Sequence, residues 1–155
     1  MIQRIQSFYL LLTIILSVLF LTGNIFRFLN EGSSEFAMNF RGIYEVASQN
    51  NYSMIRGTVP VLLLSVSIPV ISLFTIFLFR NRKLQNKLTI SLILLDILLI
   101  GAVAYIAFLC IKNYGGTLIP SFRMIIPALN IVLLILVFRS IKKDENLVRS
   151  YDRLR

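Results

Sequence analysis

The 155-residue chain has no histidine and no tryptophan, and Cys110 is its one cysteine. Without imidazole there is no histidine haem ligand, no His-based metal site and no His general base. One thiol makes no intramolecular disulfide, no CxxC redox pair and no four-thiolate metal site, which excludes enzymes that pass electrons from paired cysteines to quinone. Cys110 reads as a small apolar packing residue, with a lipid or partner thiol site as the alternative. Neither a P-loop nor a GxGxxG turn occurs in the sequence, so the common nucleotide cradles are missing too. No catalytic residue, metal or cofactor is expected.

Charge is also scarce. Only 15% of residues are charged and 57% are apolar, with a mean hydropathy of +0.80. An ordinary soluble domain is about 25% charged and about 45–50% apolar. The composition excludes a soluble globular domain and, more firmly, a disordered chain. The charge that remains is lopsided, with 16 Lys and Arg against 7 Asp and Glu, a net +9. In a soluble protein this excess points to nucleic acid. Here the cations sit at the ends of apolar runs, so anionic lipid headgroups and control of topology explain them better, and no nucleic-acid partner is expected.

Four apolar runs stand out, at 5–22, 59–79, 88–111 and 124–138. A spanning helix needs about 20 residues, with a range of about 17–25. The second and third runs fit directly. The fourth is short alone, and Leu118, Ile119, Pro120 and Phe122 extend it outward. None of the runs alternates polar with apolar as a barrel strand does. The first run follows Arg4 and precedes Thr22-Gly23-Asn24, but it lacks an A-x-A-like site, so it reads as an uncleaved anchor rather than a signal peptide.

Orientation follows from the Lys and Arg flanks. Arg4, then Arg80, Arg82, Lys83 and Lys87, then Arg139, Lys142, Lys143, Arg149, Arg153 and Arg155 lie on one side. Arg27, Arg41, Arg56, Lys112 and Arg123 lie on the other, spread over more residues. The positive-inside rule places both termini and the 80–87 loop in the cytoplasm. The cytoplasmic cations Arg80, Arg82, Lys83, Lys87, Arg139, Lys142, Lys143 and Arg149 are the expected contacts with headgroups or a partner.

The outer loop, 23–58, is too long for a simple turn. Phe36, Met38 and Phe40 alternate with Ala37, Asn39 and Arg41, and after Gly42 comes Ile43-Tyr44-Glu45-Val46. That pattern predicts two short strands around a glycine turn. They form either a cap over the bundle mouth or a docking surface for an outer partner. Asn51-Tyr52-Ser53 matches a glycosylation sequon, a weak three-residue signal. Lys112 to Thr117 reads as a loop, and Pro120 and Pro127 mark the start of the fourth helix.

Asp96 is the single acid inside a span. A charge at the bilayer centre costs at least about 2.5–3.5 kcal/mol, so this residue should face other helices. At about 1.5 Å per residue, Asp96, Asn130, Ser72 and Thr13 all lie roughly 12–13 Å in from the cytoplasmic ends of their spans. Together they form one polar layer. The layer either fixes helix register or, in the sharper reading, makes Asp96 a proton or cation site of a small transporter. Pro69 should kink the second span, with Ser65, Ser67 or water meeting the carbonyl it frees. Gly101, Ala102, Ala104 and Ala107 form a small-residue strip of the kind that marks close helix packing.

In the tail from Arg139, Leu147, Tyr151 and Leu154 share a helical face, and Glu145 with Arg149 is spaced for an i, i+4 pair. The tail reads as a helix along the inner headgroups, or as a handle for a cytoplasmic partner. The opening Met1-Ile2-Gln3-Arg4-Ile5-Gln6-Ser7 and the ending 143–155, KDENLVRSYDRLR, resemble a bacterial family of small four-span membrane proteins known only as a domain of unknown function. The resemblance implies a bacterial cytoplasmic membrane and supplies no activity, cofactor or catalytic residue.

The sequence thus predicts an all-α membrane protein: a four-helix transmembrane bundle with a small outer cap, one integral domain over 1–155, and a cytoplasmic tail over 139–155. Its expected role is that of a non-enzymatic accessory or scaffold subunit, partnered by the lipid bilayer with its anionic inner headgroups and by another membrane protein or a second copy. The alternative is a small transporter using Asp96.

Overall fold

A computed structural model describes residues 3–29, 35–46, 52–78, 81–114 and 117–152. Four helices carry the fold: α1 (Gln3–Leu21), α2 (Val59–Phe77), α3 (Arg82–Tyr114) and α4 (Ile126–Asp152). They pack in a closed ring, α1 on α2 and α4, and α3 on α2 and α4. The segments 59–77, 82–113 and 122–144 are long and apolar enough to cross a membrane, and Ile5–Leu21 is a shorter apolar helix. Their outward faces carry Phe8, Leu11 and Ile15 on α1, Leu63, Val70 and Phe74 on α2, Leu94, Leu98 and Phe108 on α3, and Val132 and Leu136 on α4, all exposed. Helices that are apolar outside as well as inside are the ones that live in lipid or deep in a core.

Each helix starts and stops where its sequence permits. Pro60 sits in the first turn of α2, where a missing N–H is harmless. The Asn81 side chain receives the Leu84 N–H at 3.4 Å as α3 begins. A single 3₁₀ turn, Phe122–Ile125, precedes α4. At the far end of α1, Leu19 O accepts from Thr22 Oγ1 at 2.7 Å and from Arg123 Nε at 3.3 Å. A guanidinium is thereby set at the negative end of the helix dipole.

The hairpin expected in the first connection is part of something larger. β1 (Phe26–Leu29), β2 (Glu35–Met38), β3 (Gly42–Val46) and β4 (Tyr52–Gly57) form a meander, and β5 (Thr117–Pro120) from the α3–α4 connection completes an antiparallel sheet ordered β4-β3-β2-β1-β5. This corrects the all-α expectation. It also corrects the outward extension of the fourth helix, because Leu118, Ile119 and Pro120 pair with Phe28, Arg27 and Phe26 instead. A four-residue strand whose partner lies some ninety positions earlier has no local signature; only the tertiary partner makes it a strand.

Register places Phe26 opposite Met38, Phe28 opposite Phe36, and Met38 opposite Ile43. These five side chains are buried against the sheet-side end of the helices, where Val103, Ala107 and Cys110 join the same core. Arg27, Ala37 and Tyr44 share the other face. Asn39 makes the β2–β3 turn, its Oδ1 accepting from the N–H groups of Arg41 and Gly42 at 3.0 and 3.2 Å. The small-residue strip divides: Ala107 is buried, but Gly101 and Ala104 are exposed, and nothing lies within 4 Å of the Gly101 Cβ position. Close packing within the chain therefore does not explain those two.

α2 runs unbroken through Pro69, with the Ser65 and Ser67 hydroxyls donating to Leu62 O and Leu64 O. Arg80, the sequon asparagine Asn51 and the side chains of Glu145, Arg149, Leu147, Tyr151 and Leu154 lie outside the described residues.

Two glycines give opposite expectations. A Cβ at Gly42 meets Arg56 O of the neighbouring strand at 2.5 Å. Gly42→Val should cost about 1–3 kcal/mol, as overpacking does. Gly101→Ala should leave thermal stability in detergent unchanged or raise it, since alanine favours helix by about 1 kcal/mol over glycine. Thermal melts of both variants check this, and a larger loss at Gly101 than at Gly42 would contradict the packing described.

Candidate functional site: a sealed polar interior

Twelve polar or charged side chains are buried among the described residues. The sequence singled out Thr13, Ser72, Asp96 and Asn130, and all four are buried, none more than 2% exposed. They do not act as a single set. Asn130 Nδ2 on α4 donates to Ser17 Oγ on α1 at 3.0 Å. Ser17 Oγ in turn donates to Thr13 O at 2.7 Å, and Thr13 Oγ1 donates to Tyr9 O at 3.0 Å. Thr13 is therefore satisfied within its helix, and Ser17, one turn further along, makes the tie to α4. Sequence reasoning missed Ser17 because the depth count took one polar residue per span, and Ser17 sits four positions away on the same face.

Asp96 on α3 lies beside Asn130. Its carboxyl group is buried with the Asn130 side chain as its hydrogen-bonding neighbour, and Asn130 Oδ1 is buried and meets no donor among the described residues. On α2, counting residues from the contact between α2 and α3 brings Ser65 closer to the height of Asp96 than Ser72. Gln85 Nε2 on α3 donates to Thr75 O on α2 at 3.4 Å. Eleven residues along α3 from Gln85 lies Asp96, and eleven back along α2 from Thr75 lies Leu64, next to buried Ser65. Ser72 sits about 12 Å from that level, at 1.5 Å per residue; its hydroxyl is buried and without a partner among the described residues.

A second cluster joins the helices at the end away from the sheet. Gln6 Nε2 on α1 donates to Asp144 Oδ2 on α4 at 2.7 Å, and Arg82 Nη1 at the start of α3 donates to Asp144 O at 3.0 Å. Three helices are thus tied at one residue. Arg82, expected at the headgroups, spends a donor on this backbone carbonyl. Asp144 and Ile141 are buried, and α4 continues without a break. The first part of the tail therefore packs against the other helices instead of lying apart from them. Arg139, Lys142 and Lys143 remain exposed beside Asn146 around a shallow depression of about 420 Å³, and Lys83 and Lys87 are also exposed. These cations are free to meet anions.

Among the described residues, no three of Cys, Asp and Glu come together as metal ligands. Cys110 lies under the sheet with a void of only about 10 Å³ shared with Phe26, Phe28, Phe36, Met38 and Ile43. A depression of about 380 Å³ adjoins the sheet, lined by Thr22, Asn24, Asn39 and Tyr44 among others, where Arg41 stacks on Phe40 with its guanidinium 5.3 Å from the ring centre.

The α1–α4 tie gives a quantitative expectation. In a double-mutant cycle with Ser17→Ala and Asn130→Ala, the coupling should be about 0.6 kcal/mol, the usual size of an interhelical hydrogen bond in lipid. Unfolding of the single and double variants in detergent measures it. Strict additivity would show that the pair does not join the helices.

None of the curated proteins matches this chain. A family model does, described as Domain of unknown function (DUF4293), over residues 2–154. With nearly the whole length matched, the chain belongs to the DUF4293 family.

Proposed function

We propose that the chain is a four-span integral membrane protein that serves as a non-enzymatic scaffold or accessory subunit. One observation carries the reading: the polar interior is sealed. Asp96 is 0% exposed, Asn130 2%, Ser17 3% and Ser65 2%. A transport site must open to water on one side, and a catalytic site must admit a substrate. Here the hydroxyls of Thr13, Ser17, Ser65, Ser67, Thr75 and Thr89 are turned back on their own helices, and the longer side chains tie one helix to another, which is the use a scaffold makes of polarity in lipid.

The lengths support four crossings. Between Lys87 and Lys112, α3 offers 24 positions, all uncharged except Asp96, about 36 Å at 1.5 Å per residue, against a hydrocarbon core of about 30 Å. The 19 residues of α1 reach about 28 Å by the same rise. The cation count puts both termini and the Gln6–Asp144–Arg82 cluster in the cytoplasm and the sheet outside. A bacterial cytoplasmic membrane is the proposed location, supported by the resemblance of the two chain ends. Exposed Lys83, Lys87, Arg139, Lys142 and Lys143 then stand at the inner headgroups, each worth about 1 kcal/mol toward anionic lipid. Gly101 and Ala104, small and outward-facing, offer close approach to a helix of a partner or of a second copy.

The runner-up is a small transporter that uses Asp96. It is favoured by one fact, that Asp96 is an acid fully buried among the helices, with the Asn130 side chain as its polar neighbour.

Two measurements test the proposal. A membrane-impermeant thiol reagent should label Glu35→Cys from outside in intact cells and spare Asn146→Cys; the reverse pattern would overturn the orientation. Purified from its own membrane in mild detergent, the chain should carry a partner at fixed stoichiometry, and Gly101→Phe should reduce that partner without lowering thermal stability. A lone chain would sink the scaffold reading.

A further inference from the structure

The groove at the start of α2 combines features that the fold itself does not use. It is a cavity of about 240 Å³ between β3, β4, the first turn of α2 and the sheet-side third of α3. Ile43, Ile106 and Leu109 line its apolar wall, and Arg56, Thr58 and Asn113 its polar part. Thr58 is only 5% exposed and occupies the N-cap position of α2, yet its side chain makes no capping bond and its hydroxyl has no partner among the described residues. An N-cap threonine that does not cap leaves the helix donors open; replacing a good cap costs about 1 kcal/mol.

Helix geometry leaves the N–H groups of Val59 and Val61 without an intrahelical carbonyl, and the first bond of α2 is Leu62 N–H to Thr58 O at 3.1 Å. No acidic residue stands in that first turn to meet the positive end of the dipole. Arg56, exposed and without an ion pair among the described residues, adds a full positive charge two positions earlier. Open amides, a spare hydroxyl and a guanidinium at one place are the donor set of an anion site. The apolar wall directly below it is unsuited to a free inorganic anion, which would gain nothing from Ile106 and Leu109.

We propose that this groove binds an acyl-chain anion, its carboxylate or phosphate held by Arg56, Thr58 and the α2 amides, and its chain lying on Ile43, Ile106 and Leu109. The occupant is either a free fatty acid or an anionic phospholipid, which share this chemistry. The proposal deepens the membrane reading in one respect, that the groove then opens at the outer bilayer rim, about 24 positions of α3 beyond Lys87, where such molecules reside.

Native mass spectrometry of the full chain in neutral detergent tests it, with palmitic acid, palmityl alcohol and phosphatidylglycerol as probes. One equivalent of the acid or of the phospholipid should be retained, and the alcohol, equal in chain but uncharged, about tenfold less. Retention of palmitate alone identifies a fatty acid site; retention of phosphatidylglycerol in its place identifies a phospholipid site. Arg56→Gln should weaken the retained anion about tenfold, and Thr58→Val should weaken it without altering the fold. Leu109→Trp should block all three probes, and should it fail to fold, the Arg56 and Thr58 variants decide alone. Equal retention of acid and alcohol, no retention of any probe, or unchanged retention in Arg56→Gln would overturn the proposal. Thiol labelling reads topology without any ligand, so failure of the groove and failure of the membrane reading are separate results.

Discussion

In a chain whose helices turn Leu, Ile, Val and Phe outward, a polar group that finds no partner inside the protein finds none outside it. That constraint orders the rest of the structure. Thr13, Ser17, Thr75 and Thr89 each donate to the carbonyl four residues back, which settles a hydroxyl without a second helix. Side chains too long for that solution become ties: Asn130 to Ser17, Gln85 to Thr75, and Gln6 and Arg82 to Asp144. Each tie joins two helices at a fixed height, so the register of the ring follows from where its few amides, the part-buried Arg82 contact and Asp144 sit. Asp96 on α3 adds to these ties, buried with the Asn130 side chain of α4 as its hydrogen-bonding neighbour.

The same constraint explains the sheet. The connection between α1 and α2 is long, and a long connection at the end of an apolar bundle must satisfy its own backbone. Four strands from that connection pair with one another, and β5 from the second connection pairs with β1, so both connections close as one unit. Its inner face of Phe26, Phe28, Phe36 and Met38 then seals the helix ends. Among the described residues at that end, the Thr58 hydroxyl at the start of α2 is buried without a partner, with exposed Arg56 near it in the chain.

The helices and the buried acid were legible in the sequence because apolar runs of this length leave few alternatives, and because Asp96 is the lone acid within them. The β2–β3 hairpin was legible from alternation around Gly42. β5 was not, since Thr117–Pro120 gains its identity from β1 far away in the chain. The partners inside the interior were only half legible. Counting depth from helix ends brought Asp96 and Asn130 to one height, and the structure sets them side by side. It could not separate Thr13 from Ser17, or Ser65 from Ser72, because residues one or two turns apart share a face and only the neighbouring helix selects between them. The Asp144 cluster was hidden for another reason: an acid in a basic tail reads as a solvated charge until α1 is laid against it.

The claim on which the account rests is that Asp96 holds helices together and does not carry a proton or a cation. Asparagine in its place keeps one acceptor, supplies two N–H donors for Asn130 Oδ1, and does not titrate. The decisive measurement is Asp96→Asn in a strain that depends on this protein, with growth read beside the thermal stability of the purified variant. The account predicts growth like the parent and equal or higher stability, because the cost of a buried charge is gone. Lost growth at unchanged stability and unchanged partner association would contradict it.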